Sequence, residues 1–375
     1  MAQSPPGCFH SRVSRLVLDT ARDLFPGYFA FVMATGVISI ASHLLGLHWI
    51  AVPLVAVGWA GYLVLWGLTL VRLAVYPRRM AQDLSNHQRA PGFFTIVAGT
   101  CVLGTQTALV ADASELAGAL WYLGLGLWFV VMYAFFTAVT IRERKPSLAE
   151  GVNGAWLIAA VATQSIVVLQ GILGVEAPPS PPIQFLCLAY FMVGCMLYLA
   201  IIPLIFYRLT FVRLNAMDFE PPYWINMGAV AISTLAGSTL LLRSDTWPVL
   251  AGFVPFLRGF TLFFWAAASW WIPFLIALTL WRYLVRRDPL RYEPKFWGMV
   301  FPLGMYTTGT LQLARALDLP FLAPIPEAFI HVALAAWFAT FAGLVIRLRR
   351  AISAVRSDGS AAALDDARDE SSRHP

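Results

Sequence analysis

Charge is what this chain has least of: Asp, Glu, Lys and Arg make up 12% of its 375 residues. Cysteine is scarce as well. Cys8, Cys101, Cys187 and Cys195 show none of the paired spacing of a metal or redox site. Cys101, Cys187 and Cys195 fall inside long apolar runs, where a thiol acts as a small apolar filler and no disulfide is expected. No apolar segment carries the two histidines a membrane haem needs. No His/Cys/Asp/Glu cluster has ligand spacing, and no phosphate-binding glycine loop is present. Catalysis, ATP-driven pumping and bound cofactors or metals are therefore without support, and the chain reads as a non-enzyme.

Apolar sequence is what remains. Hydrophobic residues reach 59%, against about 45–50% in soluble domains, and the mean hydropathy is +0.70. A hydrocarbon core about 30 Å thick needs about 20 helical residues. Runs of that length lie near 25–45, 51–73, 93–111, 117–141, 152–174, 183–207, 223–242, 255–284, 296–317 and 326–347. They are continuously apolar rather than alternating, which excludes a transmembrane barrel and predicts an all-α integral membrane protein with ten spans. The expected organisation is a cytoplasmic N-terminal segment (1–24), a ten-helix transmembrane domain (25–348) and a disordered cytoplasmic tail (349–375) that has no aromatics. Residues 1–24 lack the apolar core of a removable signal peptide.

Basic residues cluster in alternate loops: Arg72, Arg78, Arg79 and Arg89 in one, and Arg282, Arg286, Arg287, Arg291 and Lys295 in another. The opposite loops offer only Arg243, Arg258 and Arg315. The positive-inside rule then predicts both termini in the cytoplasm of a cell-membrane protein. The isoelectric point near 9.3 follows from this asymmetry and from contact with anionic lipid, without a nucleic-acid partner.

Four of the five odd-numbered spans open on proline and aromatics: Pro26-Gly27-Tyr28-Phe29, Pro91-Gly92-Phe93-Phe94, Pro222-Tyr223-Trp224 and Pro294-Lys295-Phe296-Trp297. The fifth begins Gly151-Val152-Asn153-Gly154. Proline suits a first helical turn, where its missing N–H would be unpaired anyway, and the recurrence predicts a repeated helical hairpin. Polar residues follow the same alternation. The odd spans hold 22 Ser, Thr, Asn and Gln residues and the even spans hold 8. Tryptophan runs the other way, with Trp59, Trp66, Trp121, Trp128, Trp265, Trp270, Trp271, Trp281 and Trp337 on even spans. Polar groups are expensive against lipid, so the pattern predicts odd helices forming an inner ring around a polar central pore, with tryptophan turned to lipid. Thr35, Ser39, Thr100, Thr163, Ser233, Thr234 and Thr308 are the candidate pore-lining residues. Hydrogen bonding between helices, or to the residue's own helix, is the alternative use of each hydroxyl. Buried charge is nearly absent, which argues against proton relays and voltage sensors.

Two segments are similar to a known family. The first span, Phe25-Pro26-Gly27-Tyr28-Phe29-Ala30-Phe31-Val32-Met33-Ala34-Thr35-Gly36, resembles the opening signature of the tellurite-resistance/dicarboxylate transporter family. The ninth, Trp297-Gly298-Met299-Val300-Phe301-Pro302-Leu303-Gly304, resembles its Phe-Pro segment. That family takes in TehA-type bacterial channel homologues, fungal malate permeases and sulfite exporters, and plant guard-cell slow anion channels. The resemblance implies a homotrimer with one pore per subunit, small anions as the transported partners, and a phenylalanine plug that transfers to Phe301. Pro302, which removes a backbone donor, is the expected pore kink. Seven residues after each opening proline stand Met33, Ala98, Ala229 and Phe301, so one large ring would face smaller partners, although a packed bundle could place it there too. The expectation is an anion channel or transporter gated by Phe301. A proton-coupled C4-dicarboxylate carrier or an exporter of sulfite- or tellurite-related oxyanions is the alternative, and a receptor or scaffold without transport is a third reading.

Overall fold

The computed structural model describes residues 17–175 and 177–371; residues 1–16 of the N-terminal segment and 372–375 of the tail lie outside the described residues. No strand occurs among the described residues. The long helices are α1 (Ala30–Leu44), α2 (His48–Val75), α3 (Phe94–Ala111), α4 (Ser114–Ile141) and α5 (Ile158–Leu173). They continue as α6 (Pro181–Phe211), α7 (Ile225–Arg243), α8 (Val254–Leu280), α9 (Trp297–Leu317) and α10 (Pro324–Ser371). Among the described residues, nine helices are both long and apolar enough to cross a membrane, so the chain is a multi-pass membrane protein. The remaining expected span, α9, is helical but falls outside the nine. Its Thr307, Thr308, Thr310, Gln312 and Arg315 dilute its apolar character, and its neighbours rather than lipid cover nearly all of it. The α10 backbone continues as helix past residue 349 to Ser371.

Burial divides the helices into two sets. The spans containing α1, α3, α5 and α7 are 78–94% buried, whereas those of α2, α4, α6, α8 and α10 are 22–44% buried. Packing follows the same division. α1 packs on α3, α3 on α5, α5 on α7, α7 on α9 and α9 back on α1. Each partly exposed helix packs on the buried helix before it and also on the one after it. The exposed side chains of the second set, such as Leu63, Val64, Phe129, Val130 and Phe338, are large and apolar, as a lipid-facing surface requires.

Every buried helix is entered through a 3-10 turn: Pro26–Phe29, Ala90–Phe93, Gly154–Leu157, Pro221–Trp224 and Pro294–Phe296. Four carry proline at the start, and in the third Asn153 Oδ1 accepts from the Ala155 N–H instead. Successive turns touch, and the last touches the first, so the five make a collar at one end of the molecule. At the opposite end α3 and α9 stop at Asp112 and Asp318, whose left-handed φ values of 52° and 55° Asp tolerates better than most residues. The ion pairs lie towards the collar end. Asp83 bridges the 4%-exposed Arg72 and Arg89, and Arg89 lies 5.5 Å above the Phe25 ring.

Candidate functional site

Two cavities bounded by all five buried helices lie one beyond the other. The first opens at the collar and is bordered by Phe25, Gly27, Ala30 and Met33, by Gly92 and Thr95, by Ala155, Ile158 and Val161, by Pro222 and Ile225, and by Lys295, Gly298 and Phe301. The second lies deeper, between Val37 and Ile40, Val102 and Thr105, Ser165 and Val168, Ile232 and Leu235, and Met305 and Thr308. Residues 30, 33, 37 and 40 of the first buried helix, 158, 161, 165 and 168 of the third, and 298, 301, 305 and 308 of the fifth share one spacing. That spacing keeps a single stripe of each helix on the axis. The cavities are small, about 40 Å³ for the first and 20 Å³ for the second, room for a few waters and for one or two.

Phe301 is 1% exposed and borders the first cavity one helical turn before Met305 borders the second. Pro302 is buried inside α9 with its ring against Gly228 of α7, where a Cβ would sit 2.7 Å from Pro302 Cγ. Pro302 is thus held against the neighbouring buried helix.

Most of the hydroxyls expected on the axis are elsewhere. Of the seven, Thr308 borders a cavity; its hydroxyl donates to Gly304 O at 3.0 Å. Thr35 accepts from the Trp337 indole at 3.1 Å and Thr163 from the Trp128 indole at 2.8 Å. Thr100 bonds the Tyr62 hydroxyl at 2.9 Å, and Ser39 donates to Ala51 O across to α2. Ser233 and Thr234 donate to their own helix, to Ala229 O and Val230 O. Those six are absent from the borders of both cavities. The axis itself is mainly apolar, with Thr95, Thr105, Ser165 and Thr308 as its hydroxyls, each donating to a carbonyl three or four residues earlier in its own helix.

Tryptophan accounts for two of the six, Thr35 and Thr163, and the contact recurs around the bundle. Trp59 donates to Thr107, Trp128 to Thr163, Trp265 to Thr310 and Trp337 to Thr35. In every case an indole on a partly exposed helix reaches the next buried helix, from α2 to α3, α4 to α5, α8 to α9 and α10 to α1. The missing member is α6, whose sequence contains no tryptophan; it is bonded instead to the buried helix before it, Gln164 of α5 donating to Phe191 O. Several of these indoles are covered rather than turned to lipid, Trp128 being 7% and Trp337 3% exposed. An indole N–H in hydrocarbon needs an acceptor, and a threonine on the neighbouring helix supplies it. Replacing Trp128 by Phe is expected to destabilise the protein by about 1 kcal/mol. Thermal unfolding in detergent checks this, with Thr163→Val non-additive in the double mutant if the bond is the cause.

Lys295, which the sequence places in a basic loop and in the opening motif of the ninth span, is the charged residue on the border of the first cavity. The signal was available. Lys295 follows Pro294 as Gly27 follows Pro26, Gly92 follows Pro91 and Ala155 follows Gly154, and all four residues border the mouth. Lys295 is ion-paired with Glu220. Gln88, also at the mouth, borders a polar hollow with His87, Arg142, Arg144 and Lys145. Burial, followed by the positive charges of Arg142 and Lys145, pushes the His87 pKa below the usual imidazole value.

The sequence model of the voltage-dependent anion channel family matches residues 23–345, which takes in every buried helix and every residue of the two cavities. The chain belongs to the voltage-dependent anion channel family. An uncharacterized membrane protein of Mycobacterium tuberculosis (strain ATCC 25618 / H37Rv) is 40% identical over 171 residues, 45% of this chain and 86% of that protein. An uncharacterized transporter of Methanocaldococcus jannaschii is 26% identical over 311 residues, 78% of this chain and 84% of the relative. The sulfite efflux pump of Trichophyton rubrum is 23% identical over 345 residues, 84% and 88% of the two chains. Family and relatives together make this voltage-dependent anion channel family member a membrane anion transporter or channel.

Proposed function

We propose that the five buried helices form an inner ring of five hairpins around a pore through which small anions pass, and that Phe301 is its gate. The observation that carries this reading is the pair of cavities, each bordered by all five helices, with Phe301 on the border of the first and Met305, one turn on, on that of the second. A narrow apolar segment hinders an anion by excluding the water that would accompany it, so one ring there controls conduction. The few hydroxyls on the axis donate to backbone carbonyls at rest, and turning one towards a passing anion gives up a bond worth about 1 kcal/mol. The reading includes both termini on the cytoplasmic face, supported by the basic loops 72–90 and 282–295 lying beside the collar. It also includes assembly as a homotrimer, for which the exposed apolar faces of the partly exposed helices offer room beside lipid.

Planar-bilayer recording of purified protein with chloride, nitrate, sulfite and malate tests it. Ohmic current carried by the anions supports the channel. A second reading, a carrier exporting sulfite-like oxyanions, is favoured by the similarity to the sulfite efflux pumps. Saturable flux driven by a pH gradient, without ohmic current, would support the carrier in place of the channel.

A further inference from the structure

We infer that Lys295 is the anion-capture residue at the collar mouth and that Glu220 sets how far its charge is available to an incoming anion. The inference rests on the pathway reading above and adds a specificity-determining pair to it. Among the described residues, Lys295 is the one with a formal charge on the border of either cavity. The equivalent positions at three other turns of the collar are the small residues Gly27, Gly92 and Ala155, which also border the cavity, whereas Tyr223 at the remaining turn does not. Its partner Glu220 precedes the fourth 3-10 turn and does not border the cavity. Lys295 and Glu220 side chains are 33% and 31% exposed, so the pair is wet enough to open and close rather than being locked in the interior.

The chemistry follows from charge and geometry. An anion arriving at the mouth competes with the Glu220 carboxylate for the same ammonium. While the pair is closed, the carboxylate offsets the Lys295 charge and the ammonium adds little to the attraction an anion meets there. When an anion displaces the carboxylate, or when the carboxylate is removed, the ammonium is left as a fixed positive charge at the entrance of a low-dielectric funnel, where it raises local anion concentration. Phe301 limits how fast an anion passes; the pair limits how readily one arrives. The two contributions are separable because the first governs flux at saturating anion and the second governs flux at low anion concentration.

Anion flux into proteoliposomes containing the full-length protein, with chloride as the probe over a range of concentrations, tests the inference. Lys295→Gln is expected to lower flux at ~10 mM chloride about threefold to tenfold, and Glu220→Gln to raise it by a similar factor. Both effects should shrink towards unity at about 1 M salt, where the screening length is about 3 Å. Lys295→Arg, which keeps the charge, should retain most of the wild-type flux. Monodisperse elution of each variant in detergent shows that it has folded; should Lys295→Gln not fold, Glu220→Gln and the salt dependence carry the same test. Unchanged flux in both folded neutral variants, or higher flux in Lys295→Gln, overturns the capture role. The outcome is distinguishable from failure of the pathway itself. If Phe301→Ala alters flux while the neutral variants do not, the capture role alone is wrong; if none of them alters flux, the pathway reading falls with it.

Discussion

Replacing Phe301 by alanine is expected to raise anion flux through the reconstituted protein by about tenfold or more, the result of removing an apolar plug that keeps water from bridging the two cavities. Tenfold corresponds to a barrier lowered by about 1.4 kcal/mol. Phe301 is 1% exposed, and at its level the same count from the opening residues brings Met33, Ala98, Val161 and Ala229. Met33 and Val161 border the first cavity with it, so truncation joins existing space to new space rather than opening an isolated void. Phe301→Leu should give a smaller increase, and Phe301→Trp should leave flux at or below wild type. A buried Phe→Ala change commonly costs about 3–5 kcal/mol, and the lower end applies where the site already borders a cavity. Thermal unfolding in detergent separates loss of fold from gain of flux. Wild-type flux in a folded Phe301→Ala protein would remove the gate assignment.

Gly154→Ala is expected to be among the most damaging single-methyl changes in the chain. A Cβ there would lie 2.3 Å from Pro222 O and 2.7 Å from Tyr223 Cα, contacts with backbone that no side-chain rotation relieves. Gly154 opens the third turn of the collar, and these atoms belong to the fourth, so the methyl pushes two buried helices apart where they enter the bundle. Overpacking of this kind costs about 3 kcal/mol. A drop in thermal stability and loss of monodisperse protein are the readouts. Gly126→Ala in α4 is the control: nothing lies within 4 Å of the added atom, and alanine favours helix over glycine by about 0.8–1 kcal/mol in a helix interior. Equal behaviour of the two variants would show that the collar is looser than its contacts indicate. Gly92, whose Cβ would meet Gly27 N at 2.7 Å, should behave like Gly154.

Much of the bundle was legible because lipid imposes simple conditions on sequence. Long apolar runs gave the helices, and proline at Pro26, Pro91, Pro222 and Pro294 marked where four of the five buried ones begin. The Phe301–Pro302 pair stood out through the resemblance, and Phe301 borders the first cavity. The hydroxyls were harder. Counting Thr and Trp on alternate spans revealed which helices would be covered, but composition is silent on direction around a helix. Thr35 and Thr163 belong to buried helices and point away from the axis because indoles on neighbouring helices need acceptors.

By itself, the sequence determined that this is a helical membrane protein with two unlike sets of helices, because hydrophobic length and polar content are properties of a segment alone. Only the tertiary structure decided that Lys295 reaches the mouth while Thr35, Thr100 and Thr163 leave the axis to Val, Ile and Met. The reason is that a polar group in hydrocarbon is satisfied by whichever partner packing brings within hydrogen-bonding reach, and for most of these hydroxyls that partner is a neighbouring helix or the residue's own backbone.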